Sequence, residues 1–61
     1  MTSISEMELQ NLRHLIQFSQ ADYEKYSSYA QMATDSNVKQ FFEKAANSAN
    51  QNKQTFQQFL S

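Results

Sequence analysis

The single histidine, His14, is the first candidate for catalysis in this chain, which contains no cysteine. Histidine changes charge near neutral pH, so it is a common general base for a nucleophilic serine. Helical spacing places His14 on the outward side of a predicted helix, and no serine with a base and an orienting group is arranged around it. We therefore expect an exposed structural histidine, no catalytic residue and no enzyme activity.

Paired carboxylates on helices raise the question of a di-iron centre. Such a centre needs a Glu from each of two helices and a Glu-x-x-His motif from each of the other two. The candidate segments read EKYS at 24–27 and EKAA at 43–46, and neither ends in histidine, while His14 follows Asn11 at the third position before it. The sequence therefore predicts no metal ligand and no cofactor. A ferritin-like metal-binding or redox protein stays open as an alternative.

The charge of the chain does not favour nucleic acid as a partner. Five Lys and Arg residues oppose six Asp and Glu residues, for a net charge of -1, and the two signs are interleaved. Affinity for nucleic acid depends on basic side chains that contact phosphates, so we expect no such partner. An RNA-binding hairpin dimer is the second alternative. No apolar run is long enough for a membrane span or a signal peptide, so no membrane association and a cytoplasmic location are expected.

The chain contains neither glycine nor proline, the two strongest helix breakers, and their absence favours long helices. Ser5 and Glu8 form a capping box that predicts the start of the first helix, and Ser3 with Glu6 forms a competing box. Asp35 lies in a polar break and is a good N-cap for the next helix. The predicted single domain, 1–61, has a helix at about 6–33, a turn at 34–35 and a helix at about 36–60.

Apolar residues alternate at spacings of three and four along both helices, which is the pattern of a helix–helix seam. The first seam comprises Leu9, Leu12, Ile16, Ser19, Tyr23, Tyr26, Ala30 and Ala33. The second seam comprises Val38, Phe42, Ala45, Ala49, Asn52, Phe56 and Phe59. Folding the chain back near residue 35 sets large residues against small ones and brings Ser19 opposite Asn52. This polar pair is predicted to fix the register of the hairpin.

A second stripe follows the first helix at the same spacings, about a quarter turn from the seam. It consists of Leu15, Phe18, Asp22, Lys25, Tyr29 and Met32. Phe41 and Leu60 add apolar surface on the second helix, and a lone hairpin would leave most of this surface in water. An exposed apolar patch of this kind marks an interface. The predicted homodimer closes into a four-helix bundle, and its interface consists of Leu15, Phe18, Tyr29, Met32 and Phe41.

Chain length also favours oligomerisation. A chain of 61 residues buries a small share of its surface, so its stability as a monomer is marginal. Small domains are usually reinforced by disulfides, a metal or oligomerisation, and the absence of cysteine removes the first of these. The three tyrosines Tyr23, Tyr26 and Tyr29 recur at helical spacing. Because such a run is more often part of a core or an interface, we interpret it in that way, with the hydroxyls at the rim, rather than as a ligand stack.

Three segments carry a family resemblance: 8–16 (ELQNLRHLI), 29–31 (YAQ) and 38–54, which begins VKQFF and ends NKQ. In them the chain resembles small bacterial proteins related to spore coat protein F, within the broad ferritin-like group. The resemblance implies a ferritin-like bundle, half of it from each chain, and an association with spore-forming bacteria. It carries no activity across, because the Glu-x-x-His ligands of ferritin-like enzymes are not matched.

These patterns predict an all-α fold, an antiparallel two-helix hairpin that dimerises into a four-helix bundle. The function that fits them is that of a small non-enzymatic structural or interaction protein, which the resemblance associates with the spore coat.

Overall fold

A computed structural model describes residues 4–60, which form two helices, α1 (Glu6–Met32) and α2 (Ser36–Gln58), and no strand. The two helices pack against each other along a hairpin, so the predicted all-α hairpin is confirmed. The competing capping box at Ser3 and the two ends of the predicted 1–61 domain lie outside the described residues.

Both helices begin at the side chains that the sequence indicates. The Glu8 amide donates to Ser5 Oγ at 3.1 Å, and the Ser5 amide donates to Glu8 Oε1 at 3.0 Å, so the capping box is confirmed. Asp35 Oδ1 accepts from the amides of Asn37 and Val38 at 2.9 and 3.0 Å. Each cap satisfies amides that have no carbonyl partner inside the helix.

Both helices end slightly earlier than expected. Ala33 has an extended backbone, with φ of -69° and ψ of 133°, so α1 stops at Met32 and leaves a short connection to the Asp35 cap. At the other end the amides of Phe59 and Leu60 donate to Phe56 and Gln57, three residues back. Bonds with this spacing tighten the last turn into 3₁₀ geometry, so α2 stops at Gln58 rather than near residue 60.

The seam between the helices is built on small residues. Ala30, Ala46, Ala49 and Ser19 are the buried residues, and no large side chain of the described residues is fully buried. Small side chains let the two backbones approach closely, while larger ones such as Phe42 and Phe56 lie half-buried beside them. The hairpin therefore has a thin core whose larger apolar side chains remain partly in water.

The shape of the hairpin leaves its broad sides uncovered. Its principal-axis extents are 46 × 16 × 12 Å, and the smallest is about the diameter of one helix with its side chains. Residues 4–60 supply no third element that could cover either side. Any apolar side chain that points away from the seam is therefore exposed in the single chain.

The capping box gives the Glu8 carboxylate a measurable electrostatic signature. Its hydrogen bond from the Ser5 backbone amide, and then that from the Ser5 hydroxyl, lower the Glu8 pKa below its ordinary value of 4.5. A carboxyl whose pKa is lower in the folded state stabilises that state above its unfolded pKa. This contribution is lost as the pH falls below 4.5 and through the folded pKa.

We expect the two hydrogen bonds to be separable by substitution at position 5. S5A keeps the backbone amide and should raise the Glu8 pKa only partway to 4.5, whereas S5P removes both donors and should restore the ordinary value. The Ser5 φ of -75° suits proline, so the helix start is retained. The Glu8 pKa of each variant is measured by NMR, from the carboxyl chemical shift followed between about pH 2 and pH 7. This range extends roughly two units or more on each side of the pKa of a free glutamate. Equal Glu8 pKa values in wild type and S5P would contradict this account.

Candidate interaction surface

One broad side of the hairpin is apolar. Near the turn, Tyr29 and Met32 of α1 and Val38 and Phe42 of α2 line a shallow depression. Leu15 and Phe18 precede Tyr29 by two and by about one and a half heptads, so they lie on the same side of α1 further from the turn. We call this side of the molecule, which carries Leu15, Phe18, Tyr29, Met32, Val38 and Phe42, the apolar face. It runs from the turn along most of α1.

Four aromatic rings form the part of the apolar face next to the turn. Phe42 lies at their centre, with ring centroids 5.2 Å from Tyr29, 5.5 Å from Phe41 and 6.5 Å from Tyr26. The first two contacts are edge-to-face, the geometry that aromatic quadrupoles favour. The cluster links the two helices and holds the Tyr29 and Phe41 rings in place at the surface. The interpretation of Tyr26 and Tyr29 as core and interface residues agrees with these contacts.

All five residues predicted at the dimer interface are exposed in the single chain. Phe18, Met32 and Phe41 keep 64%, 70% and 66% of their accessible surface, and Leu15 and Tyr29 about two fifths. Phe59, at the far end of α2, is exposed as well. Scattered apolar residues are normal on a surface, but several large ones on the same side of a 61-residue chain, at both ends of one stripe, are a mark of an interaction site. The structure places Tyr29, Met32 and Phe41 near the turn and Leu15 and Phe18 further along α1. Their burial in a dimer remains a prediction.

The apolar face carries one pair of charges. Lys25 Nζ lies 3.8 Å from Asp22 Oδ1, one helical turn away, and also 5.5 Å from the centre of the Tyr26 ring. Both side chains are about half exposed. An exposed pair of this kind adds at most about 1 kcal/mol to the stability of the fold. Its position in the middle of the stripe matters more, because a partner that covers the apolar face must also cover these two charges.

The opposite side of the hairpin is polar and amide-rich. Its residues at the groove between the helices include Gln17, Gln20, Glu24, Ser27, Gln31, Lys39, Glu43, Asn47, Lys53 and Gln57. Lys53 Nζ donates to Gln20 Oε1 at 2.6 Å across the groove, and Gln20 Nε2 donates to Glu24 Oε1 at 3.1 Å. The side chains at this groove are mainly polar or charged, so the described part of this side offers less apolar surface to a partner than the apolar face does.

The predicted register pair is only half buried. Ser19 is 8% exposed, but Asn52 is exposed, and the partly buried position beside it belongs to Lys53. The polar bond that crosses the seam joins Gln20 to Lys53, one residue further along on each helix. The pair Ser19–Asn52 itself stays a prediction, while a polar contact at this level of the hairpin is present.

The ionisable residues are dispersed over the surface. His14 is exposed, with its ring centroid 6.4 Å from that of Phe18. Glu24 and Glu43 lie on the polar side, and residues 4–60 contain no group of three or more His, Cys, Asp or Glu side chains that could hold a metal ion. Neither described helix has the length and apolar content that a membrane span requires. The apolar face is therefore the candidate functional site.

Comparisons of the chain with protein-family models, with curated proteins and with solved structures find no match. No role is transferred from a relative, and the functional argument depends on the apolar face itself.

Proposed function

We propose that this chain is a small non-enzymatic structural or interaction protein that acts as a homodimer. Two hairpins pack through their apolar faces and close into a four-helix bundle. The observation that carries the proposal is the exposure of Phe18, Met32 and Phe41, each of which keeps about two thirds of its surface in the single chain. A second copy of the same face is the simplest surface that covers them all.

The energetics of a thin hairpin support this closure. Burying a large apolar side chain contributes about 1.5–3 kcal/mol, and each subunit offers several such side chains on one face. The core of the single hairpin consists of three alanines and a serine, which bury little area. Several of the largest apolar side chains therefore remain on the apolar face, where a second copy can bury them.

Sedimentation equilibrium tests the dimer directly. We expect the mass of two 7.1 kDa chains at micromolar concentration and an unfolding temperature that rises with protein concentration, because dimerisation is linked to folding. A folded species with the mass of one chain at every concentration, and with a concentration-independent unfolding temperature, would contradict the proposal.

The resemblance to small relatives of spore coat protein F supports the place of this module in a spore coat. Covering a surface requires self-association and no catalytic centre, which suits an apolar face without a metal cluster among residues 4–60. Purified coats from a sporulating host should contain the protein. Its recovery from the soluble fraction alone would oppose the coat role and leave the dimer unaffected.

A further inference from the structure

The stripe on α1 is symmetric about its own midpoint. Leu15 and Met32, Phe18 and Tyr29, and Asp22 and Lys25 are each equally distant from the bond between Tyr23 and Glu24. When two copies of such a stripe pack in opposite directions, each residue meets the other member of its pair. Apolar residues then face apolar residues, and Asp22 of each chain faces Lys25 of the other.

The corresponding stripe on α2 has the same property. It consists of Phe41 and five residues of the predicted α2 seam that lie towards the apolar face, and its members are paired about the bond between Ser48 and Ala49: Val38, Phe41, Ala45, Asn52, Phe56 and Phe59. Val38 pairs with Phe59, and Phe41 with Phe56. This second midpoint was located independently of the first, since it depends only on the residues of α2.

The hairpin places the two midpoints at the same level. The Gln20–Lys53 bond and the Tyr29–Phe42 ring contact join the helices at two heights, and we take the residues of each pair as approximately level. The midpoint of α1 lies about three and a half residues after Gln20, so its level on α2 is the same number of residues before Lys53, about one residue beyond the bond between Ser48 and Ala49. The same midpoint lies about five and a half residues before Tyr29, so its level counted from Phe42 is about one residue before that bond. A single straight line across the apolar face therefore passes through both centres of symmetry.

From this coincidence we infer that the dimer of the proposed function has its two-fold axis along that line, perpendicular to the helices. The axis stacks α1 on the α1 of the second copy and α2 on its α2, each pair antiparallel, and places the two turns at opposite ends of the bundle. The inference depends on the proposed function, because it specifies how the two apolar faces meet.

Charge complementarity distinguishes this arrangement from its main competitor. A two-fold axis parallel to the helices would stack α1 on the α2 of the second copy and place both turns at one end. Asp22 and Lys25 would then face a stripe on α2 that contains no charged residue. The two side chains would lose water there while keeping only the pair within their own chain, and the cost of removing charges from water can exceed the attraction within such a pair. The perpendicular axis instead forms two Asp22–Lys25 pairs between the subunits.

Mixing two charge variants tests the pairing. D22K alone and K25D alone each place like charges opposite one another in their own homodimers, so both should dimerise more weakly than wild type. Mixed in equal amounts, they should form a heterodimer at least about tenfold tighter than either homodimer, since two repulsive contacts become attractive. The internal pair of each chain remains broken in the mixture, so recovery reports contacts between subunits. E24K mixed with K44D has the same charge changes at exposed positions off the apolar face and should show no comparable gain.

Distances between spin labels locate the axis independently. The chain has no native cysteine, so Q10C and S28C each introduce one exposed labelling site on α1. Gln10 lies about thirteen residues from the axis and Ser28 about four, so the Gln10 labels should be separated by about 40 Å along the bundle and the Ser28 labels by about 14 Å. The competing arrangement leaves both label pairs level, with nearly equal distances.

The outcomes separate the arrangement from the dimer itself. A long Gln10 distance, a short Ser28 distance and recovery in the charge mixture support the perpendicular axis. A dimer with equal distances at the two sites, or with no recovery, overturns the arrangement and leaves the proposed function standing. A monomer in sedimentation overturns both.

Discussion

F18D is expected to convert the dimer into a monomer. Phe18 keeps 64% of its surface in the single chain, and in the proposed dimer two copies of it are buried. Losing about 1.5–3 kcal/mol of burial at each copy, with a carboxylate now on the apolar face, should raise the dimer dissociation constant at least about a hundredfold. Sedimentation equilibrium measures the constant, and circular dichroism measures the accompanying fall in unfolding temperature.

The matched control for this prediction is Q17D. Gln17 is the preceding residue of α1, is exposed, and lies on the polar side of the hairpin. The substitution introduces the same charge at nearly the same height, so general effects of an added carboxylate are common to both variants. We expect Q17D to keep the wild-type dissociation constant. Equal dissociation constants and equal unfolding temperatures for wild type and F18D would show that Phe18 is not part of the interface.

A46D is expected to unfold the hairpin itself. Ala46 is 4% exposed in the seam, where a carboxylate would push the closely packed helices apart and lose most of its contact with water. An uncompensated buried charge costs about 3–5 kcal/mol, which is comparable with the whole stability expected for a chain of 61 residues, about 3–9 kcal/mol. Far-UV circular dichroism should show most of the helical signal lost at 25 °C, about the temperature to which these energies refer.

N47D provides the comparison for A46D on the next residue of the same helix. Asn47 is exposed at the polar groove, so its replacement by aspartate adds the same group in water and should change the unfolding free energy by less than about 0.5 kcal/mol. If A46D retained the helical signal and the unfolding midpoint of N47D, the seam would not pass through Ala46.

The two variants act on different surfaces, so their phenotypes should differ in kind. A46D destabilises the single hairpin itself, because Ala46 lies within the chain's own seam. F18D removes only what depends on a second copy, so its remaining stability should be independent of concentration. Dissociation without unfolding in F18D would place the apolar face outside the core of the single hairpin.

Local signals in the sequence were sufficient for the starts of both helices and for the buried face of α1. Ser5 with Glu8, and Asp35, define helix starts through hydrogen bonds to amides within three residues. Such bonds depend only on neighbouring residues, and the structure contains them. The seam of α1 also follows the predicted spacing, with Ser19 and Ala30 buried at its centre.

The seam of α2 shows where local pattern was not enough. The predicted seam used Ala45 and Asn52. Ala45 is half-buried and the adjacent Ala46 is buried, whereas Asn52 is exposed and the adjacent Lys53 is half-buried. Two adjacent alanines satisfy the pattern equally well, and a seam read at 3.5 residues per turn drifts by about 20° per heptad from a straight helix. Contact with α1 decided which alanine is buried, and the long Lys53 side chain reaches Gln20 across the groove.

The sequence alone determined two capped helices, a hairpin and a row of large apolar side chains away from the seam, since each is set by residue type and spacing along one helix. Tertiary packing decided which small residues let the backbones approach, and which positions of α2 lie level with those of α1. That level depends on how two surfaces interlock, which no single helix specifies. Tertiary packing also brings the midpoints of both stripes close to one line, and from this we infer the symmetry of the proposed dimer.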